Sequence, residues 1–235
     1  MNDLYSEMFI QGLKKLDLNK IKKVPKSDLH NHFVLGGNRD YIRKKTGIDI
    51  YPIKKALNSM QEMDDWNSKY IGQKFNSIDL YGDELSQPIE NFKGIYKRAK
   101  NYGIRLKAHV GEWGSAEDII KAVETLELDE IQHGIAASHS AKTINYLLDN
   151  KIRLNIVPTS NVMLGRVSEI KEHPIKEFYK SGLDVTINSD DILIFDSDVS
   201  KEYLKLYKNK VLTAEELDDI RLNGLKSVGN NKCKI

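Results

Sequence analysis

Two histidines stand two residues apart in the run Asp28-Leu29-His30-Asn31-His32. On an extended chain, side chains at that spacing leave the same face, so two imidazoles can converge on one metal ion. Further along, His109 is followed by Gly111-Glu112, His133 by Gly134, and Ser189 by Asp190-Asp191, each group closing an apolar run. Taken singly, each has an ordinary explanation: a surface or hydrogen-bonded histidine, or a turn or helix cap for paired aspartates. Together they offer imidazoles and carboxylates without a thiolate, a donor set that suits zinc or another first-row divalent ion and leaves room for water. Zinc lowers the pKa of a bound water from ~16 toward ~7, which points to a hydrolytic reaction. Glu112, just beyond His109, is placed to give a proton to substrate, and His133 to orient the attacking water or accept its proton. The adjacent Asp190 and Asp191 divide into one carboxylate on the metal and one facing substrate.

Such groups need elements to hold them. From about Asn76 onward, short runs rich in Ile, Val and Leu alternate with amphipathic, capped segments. Ser77–Leu80, Ile104–Val110, Glu130–His133, Ile152–Val157 and Asp184–Asn188 read as strands. Their centres, near residues 79, 107, 131, 155 and 187, are 28, 24, 24 and 32 residues apart, the rhythm of βα units on a parallel sheet. Gln87–Asn101 reads as a helix closed at Gly103, Ser115 with Asp118 caps a helix running to about Leu126, and Thr213 with Glu216 forms a capping box for the last helix. Lys26–His32, after Pro25, is a further strand-like run. Arg39–Tyr70 shows no strand pattern, and Met60, Met63 and Trp66 within it read as one packed helix face. His139 and His173 receive no function, and His173-Pro174 reads as a helix start with proline at the first position. The His, Glu, His and Asp groups fall at successive carboxyl ends of these strands, the rim on which parallel α/β barrels build active sites.

The composition agrees with a folded enzyme. The 235 residues are 40% hydrophobic and 30% charged with a net charge of +2, enough for a real core. Charges of both signs are interspersed, with no basic stripe for a phosphate backbone, so nucleic acid is not an expected partner. One cysteine, Cys233, cannot form an intrachain disulfide. No signal-peptide pattern or membrane-length apolar run is present, and a cytoplasmic location without a membrane partner is expected.

The motifs Pro25-Lys-Ser-Asp-Leu-His-Asn-His, Ile78-Asp-Leu-Tyr-Gly-Asp-Glu, Ala108-His-Val-Gly-Glu, Gln132-His-Gly, Pro158-Thr-Ser-Asn, His173-Pro and Ile187-Asn-Ser-Asp-Asp occur in this order. The series resembles that of the adenosine deaminase family of zinc aminohydrolases. The resemblance implies an α/β fold of the TIM-type (β/α) barrel, with one zinc ion held by His30, His32, His109 and Asp190. It implies that Glu112, His133 and Asp190 are catalytic. Glu112 would protonate the ring nitrogen beside the reacting carbon, and His133 would serve the attacking water. Gly82, Asp83, Asp191 and His32 would contact substrate, Asp191 at the imidazole part of a purine and the Gly82 backbone at the remaining ring nitrogen. The implied reaction replaces an exocyclic amine of an adenosine-like aminopurine or related aminoheterocycle by oxygen, releasing ammonia. Missing here is the Cys-x-x-Cys pair of the cytidine-deaminase type of zinc site.

Two departures from the family pattern stand out. After the second histidine the family carries a polar residue that meets the sugar, whereas this chain reads Phe33-Val34-Leu35-Gly36-Gly37, so bases and modified nucleosides join the expected substrates. Between His32 and Gly82 the chain is also short by two barrel strands, leaving six of eight recognisable and the barrel incomplete. One domain over residues 1–235 is expected, with a deletion or omitted segment near residues 70–76. Closure with fewer strands, or completion by another subunit in a homo-oligomer, would account for the same shortfall. Two other functions compete: a metal-dependent phosphoesterase, which also opens with Asp-x-His-x-His, and a catalytically inactive, deaminase-derived binding protein.

Overall fold

Hydrogen-bonded strands and capped helices form where the apolar runs and their polar boundaries fall. A computed structural model describes residues 2–32 and 77–230. The helical reading of Arg39–Tyr70, with Met60, Met63 and Trp66, and the run Phe33–Gly37 lie outside the described residues. The chain divides into two compact units, one continuous over residues 53–154, the other discontinuous over 1–52 and 155–235.

The continuous unit holds β1 (Ser77–Leu80), α3 (Lys93–Asn101), β2 (Arg105–Val110), α4 (Ala116–Leu126), β3 (Glu130–His133) and α5 (Ala141–Asp149). β1 pairs in parallel with β2, Ser77 opposite Arg105, and β2 with β3, Lys107 opposite Glu130. The helix expected from Gln87 starts instead at Lys93, after a tight turn at Ile89–Phe92, because Pro88, at φ −59° and ψ 132°, stands outside the helical region. Ser115 and Asp118 close the expected capping box of α4. Leu106, Ala108, Ile119, Leu126, Ile131 and Leu147 are buried together with the carboxylate of Glu130. That carboxylate is answered by Arg105, by Lys107 at 3.0 Å and by Arg153 at 3.6 Å, which offsets its desolvation. Within this unit the strand order follows the chain, β1 to β3, and β4 (Arg153–Ile156) begins at its end.

The discontinuous unit opens with α1 (Asn2–Lys14) and α2 (Leu18–Lys22), continues after β4 through α6 (Pro158–Met163), α7 (Ile175–Ser181), β5 (Val185–Ile187) and α8 (Ile192–Phe195), and ends with α9 (Val199–Lys208) and α10 (Ala214–Asn230). Phe9, Leu13, Ile21, Phe178, Tyr203 and Leu217 are buried in it. Thr213 and Glu216 cap α10 reciprocally, as their spacing predicts. The buried Arg221 donates to Asp218 at 2.7 Å and to the carbonyl of Pro25 at 3.0 Å, fixing the chain as it enters the His-x-His run. Pro174 precedes α7 as its cap rather than occupying its first turn.

One element differs from expectation. Residues 26–32 do not form the expected strand: the chain bends at His30, and only Asn31 bridges in parallel to Asp190. The reason lies in Asn188, whose side-chain oxygen takes the Leu29 amide at 2.7 Å where a backbone carbonyl would serve in a continuous ladder. Five strands, not six, are therefore counted among the described residues.

Candidate functional site

In the discontinuous unit the chemistry gathers where residues 28–32 meet the end of β5. The Asp190 amide donates to the His30 carbonyl at 2.9 Å, and Ser189 donates from its amide to Asp28 at 3.2 Å and from its hydroxyl to the same carboxylate. Asn31 donates to the Ser189 hydroxyl oxygen at 2.9 Å. Asn188 extends the frame, its amide donating to the Ile156 carbonyl at 2.9 Å and its side-chain nitrogen to Thr186 at 3.0 Å. This scaffold holds Asp190 at φ +58°, a left-handed conformation that a non-glycine residue keeps only when its surroundings over-determine it.

His30 and His32 come together, as their spacing predicts. Their ring centroids lie 5.5 Å apart, and their Nε2 atoms approach Asp190 Oδ1 to 3.6 and 3.7 Å. One ligand atom from each of His30, His32 and Asp190 lies within 4.8 Å of the others. His30 Nδ1 sits 3.3 Å from the Asn155 carbonyl, which only accepts, so the proton belongs on Nδ1 and the lone pair on Nε2. On His32, Nδ1 lies 3.0 Å from Asp191 Oδ1. A carbonyl or carboxylate behind each imidazole is the arrangement that raises ligand basicity and fixes ring orientation in metal sites.

The continuous unit carries the other predicted groups at the carboxyl ends of its strands. His109, the penultimate residue of β2, turns Nδ1 to the Leu80 carbonyl at 3.1 Å and to Asp79 Oδ1 at 3.2 Å, which again leaves the lone pair on Nε2. Desolvation raises the Asp79 carboxyl, but the His109 imidazole and the Gln132 amide, 2.7 Å away, outweigh it and hold the group below the usual aspartate range. His133 ends β3 at φ +64°, with its ring 5.2 Å from that of His109 and its Nε2 3.5 Å from Glu112 Oε2. Glu112 and His133, the two residues expected to move protons, therefore face each other. Gly111, at φ +70°, precedes Glu112; a Cβ there would sit 2.5 Å from Ile119 Cδ1, so only glycine fits. Gly82 adopts φ +130°, while Asp83 forms an exposed turn, its carboxylate accepting from the Leu85 amide at 3.1 Å.

Several residues that hold these groups lie inside the quoted motifs yet receive no role from the sequence: Asp28, Asp79, Gln132 and Asn188 act across gaps of up to 161 positions. His173 is another. It is 3% exposed, donates from Nε2 to Asn161 at 3.2 Å and accepts the Ile175 amide on Nδ1 at 3.1 Å, thereby fixing the Pro158-Thr-Ser-Asn turn. Burial pushes its pKa down to about 3. The buried Glu202 secures the same turn, accepting from the Thr159 amide at 2.9 Å and its hydroxyl at 2.5 Å.

Among the described residues, no helix is long and apolar enough to cross a membrane. The chain is 30% identical to the adenosine deaminase of Clostridium acetobutylicum over 176 residues, covering 75% of this chain and 51% of that protein. It is 33% identical to the adenine deaminase of a Marinomonas species over 186 residues, covering 77% and 56%. Among solved structures, the adenine deaminase from Arthrobacter aurescens shares the fold with a TM-score of 0.66 and 30% identity over 71% of this chain and 50% of that one. The chain thus spans about half the length of the curated relatives it matches. The sequence model described as adenosine deaminase matches residues 42–232, and on that match this chain belongs to the adenosine deaminase family.

Proposed function

We propose that this protein catalyses the metal-dependent hydrolytic deamination of an adenosine-like aminopurine or a related aminoheterocycle. The observation that carries the reading is the convergence of ligand atoms from His30, His32 and Asp190 within 4.8 Å. Each imidazole has a carbonyl or carboxylate oxygen close behind it, so the donor set fits a first-row divalent ion, with zinc the assignment and one ion per chain. His109, whose tautomer leaves Nε2 as the ligand atom, is assigned as the fourth ligand by its motif. When bound, the ion would act as a Lewis acid that makes water a nucleophile near neutral pH.

The remaining roles belong to the chain. Glu112 delivers a proton to the ring nitrogen beside the carbon under attack, making an aromatic carbon electrophilic. His133 orients the attacking water and takes its proton. The Gly82 amide and Asp191 hold the purine ring by its edge nitrogens, with Asp83 and His32 alongside. Relatives named adenosine deaminase and adenine deaminase support an adenine-type base as substrate.

The test incubates the zinc-loaded protein with a panel of aminopurines and aminonucleosides and measures ammonia. Release from at least one is expected, and none from any would refute the reading. Glu112→Gln should lower turnover by at least about 10²-fold, the scale of a lost general acid, with metal content unchanged by elemental analysis.

A further inference from the structure

Glu84 lies in the loop after β1, and its carboxylate accepts three successive backbone amides from the loop after β2. Oε1 takes the Gly111 amide at 2.6 Å, and Oε2 takes those of Glu112 at 3.1 Å and Trp113 at 2.7 Å. Consecutive amides turned toward one point form an anion-binding nest, and here the anion is supplied by the chain. The next residue shows that the fit is built. At Gly114 a Cβ would stand 2.6 Å from Glu84 Oε1 and 3.1 Å from Asp118 Oδ2, so a side chain would push the carboxylate out of its cradle.

We infer that Glu84 is a positioning residue that sets the backbone of Glu112, and through it the direction in which the acid delivers its proton. The inference rests on the role proposed above for Glu112. Glu112 follows a left-handed glycine, and a segment of that kind has no helix or strand ladder to fix its course. Three charge-assisted hydrogen bonds to one carboxylate supply that restraint. The loop that carries Glu84 has bonds of its own. Asp83 closes its own turn, through its carboxylate to the Leu85 amide at 3.1 Å and its carbonyl to the Ser86 amide at 3.2 Å. Loss of the Glu84 carboxylate should therefore misplace Glu112 while Gly82, the proposed ring-nitrogen donor, stays where it is. The deficit falls on kcat and spares KM.

The experiment compares wild type, Glu84→Ala and the isosteric Glu84→Gln in the zinc-loaded protein. Displacing a reacting group by about 1 Å costs about 10²-fold in rate, so kcat of the alanine variant should fall about 10²-fold with KM changed less than threefold, and the glutamine variant should lie between. Independently of activity, the amide proton resonances of Gly111, Glu112 and Trp113 should move upfield in Glu84→Ala. Formate, a free carboxylate small enough for the vacated nest, should return both those resonances and kcat toward wild type. Unmoved resonances in either variant, or resonances that move while kcat stays within threefold of wild type, would overturn the inference. Should Glu84→Ala fail to fold, the same two readings on Glu84→Gln decide it. If wild type releases no ammonia, the proposed reaction fails, and the resonances with and without formate still decide whether the carboxylate holds the loop.

Discussion

Substituting His173 tests the buried frame of the Pro158-Thr-Ser-Asn turn with a readout that can be worked in advance. The imidazole is 3% exposed, and burial holds its pKa near 3, against about 6.5 in an unfolded chain. Between those values the unfolded chain binds a proton that the folded one refuses, so acid favours unfolding. The contribution is complete above pH ~6.5 and is lost as the pH falls toward 3, at about 1.4 kcal/mol per unit once well below 6.5. From pH 7.5 to 5 this amounts to about 2 kcal/mol, and no discount for solvent screening applies to so buried a group. His173→Gln should cost about 1 to 3 kcal/mol at pH 7.5 through the lost bonds to Asn161 and the Ile175 amide, yet escape the acid penalty. Urea unfolding of both proteins across this range, followed by circular dichroism, should show the gap between them closing by about 2 kcal/mol, about 1 M in midpoint for a typical slope. Parallel stability profiles would refute the assignment of a neutral, buried His173.

Two further substitutions probe the loop and helix that follow β2. Gly111→Ala combines a left-handed φ, worth about 1 to 2 kcal/mol, with a Cβ 2.5 Å from the fully buried Ile119, so a loss of about 3 kcal/mol in urea is expected; a loss below about 1 kcal/mol would mean that the loop can relax. Ser115→Ala removes the hydroxyl that accepts the Asp118 amide at 3.2 Å, and should lower stability by about 1 kcal/mol without changing metal content. An unchanged midpoint would show that Asp118, which still accepts the Ser115 amide at 2.8 Å, caps α4 alone.

Much of this protein is legible in its sequence because the signals are local. Ser77–Leu80 and Glu130–His133 form strands over the expected residues, since each is a short apolar run whose ends are marked by its neighbours. The caps at Ser115 and Thr213 are visible for the same reason, as the acceptor and the amide it serves lie three positions apart. The spacing of His30 and His32 likewise points to a shared ligand site, and their ligand atoms converge with that of Asp190 within 4.8 Å. What the tertiary structure alone decides is how those groups are held. Asp28 reaches Ser189 across 161 positions, Asn188 takes the amide of Leu29 and so breaks the strand expected at 26–32, and Glu84 gathers three amides 27 to 29 positions away. His133 and Asp190 take left-handed backbones that no residue type announces. Chemistry at a site is written in residue types, whereas tautomer, orientation and strain arise only when distant polar groups must satisfy one another out of water.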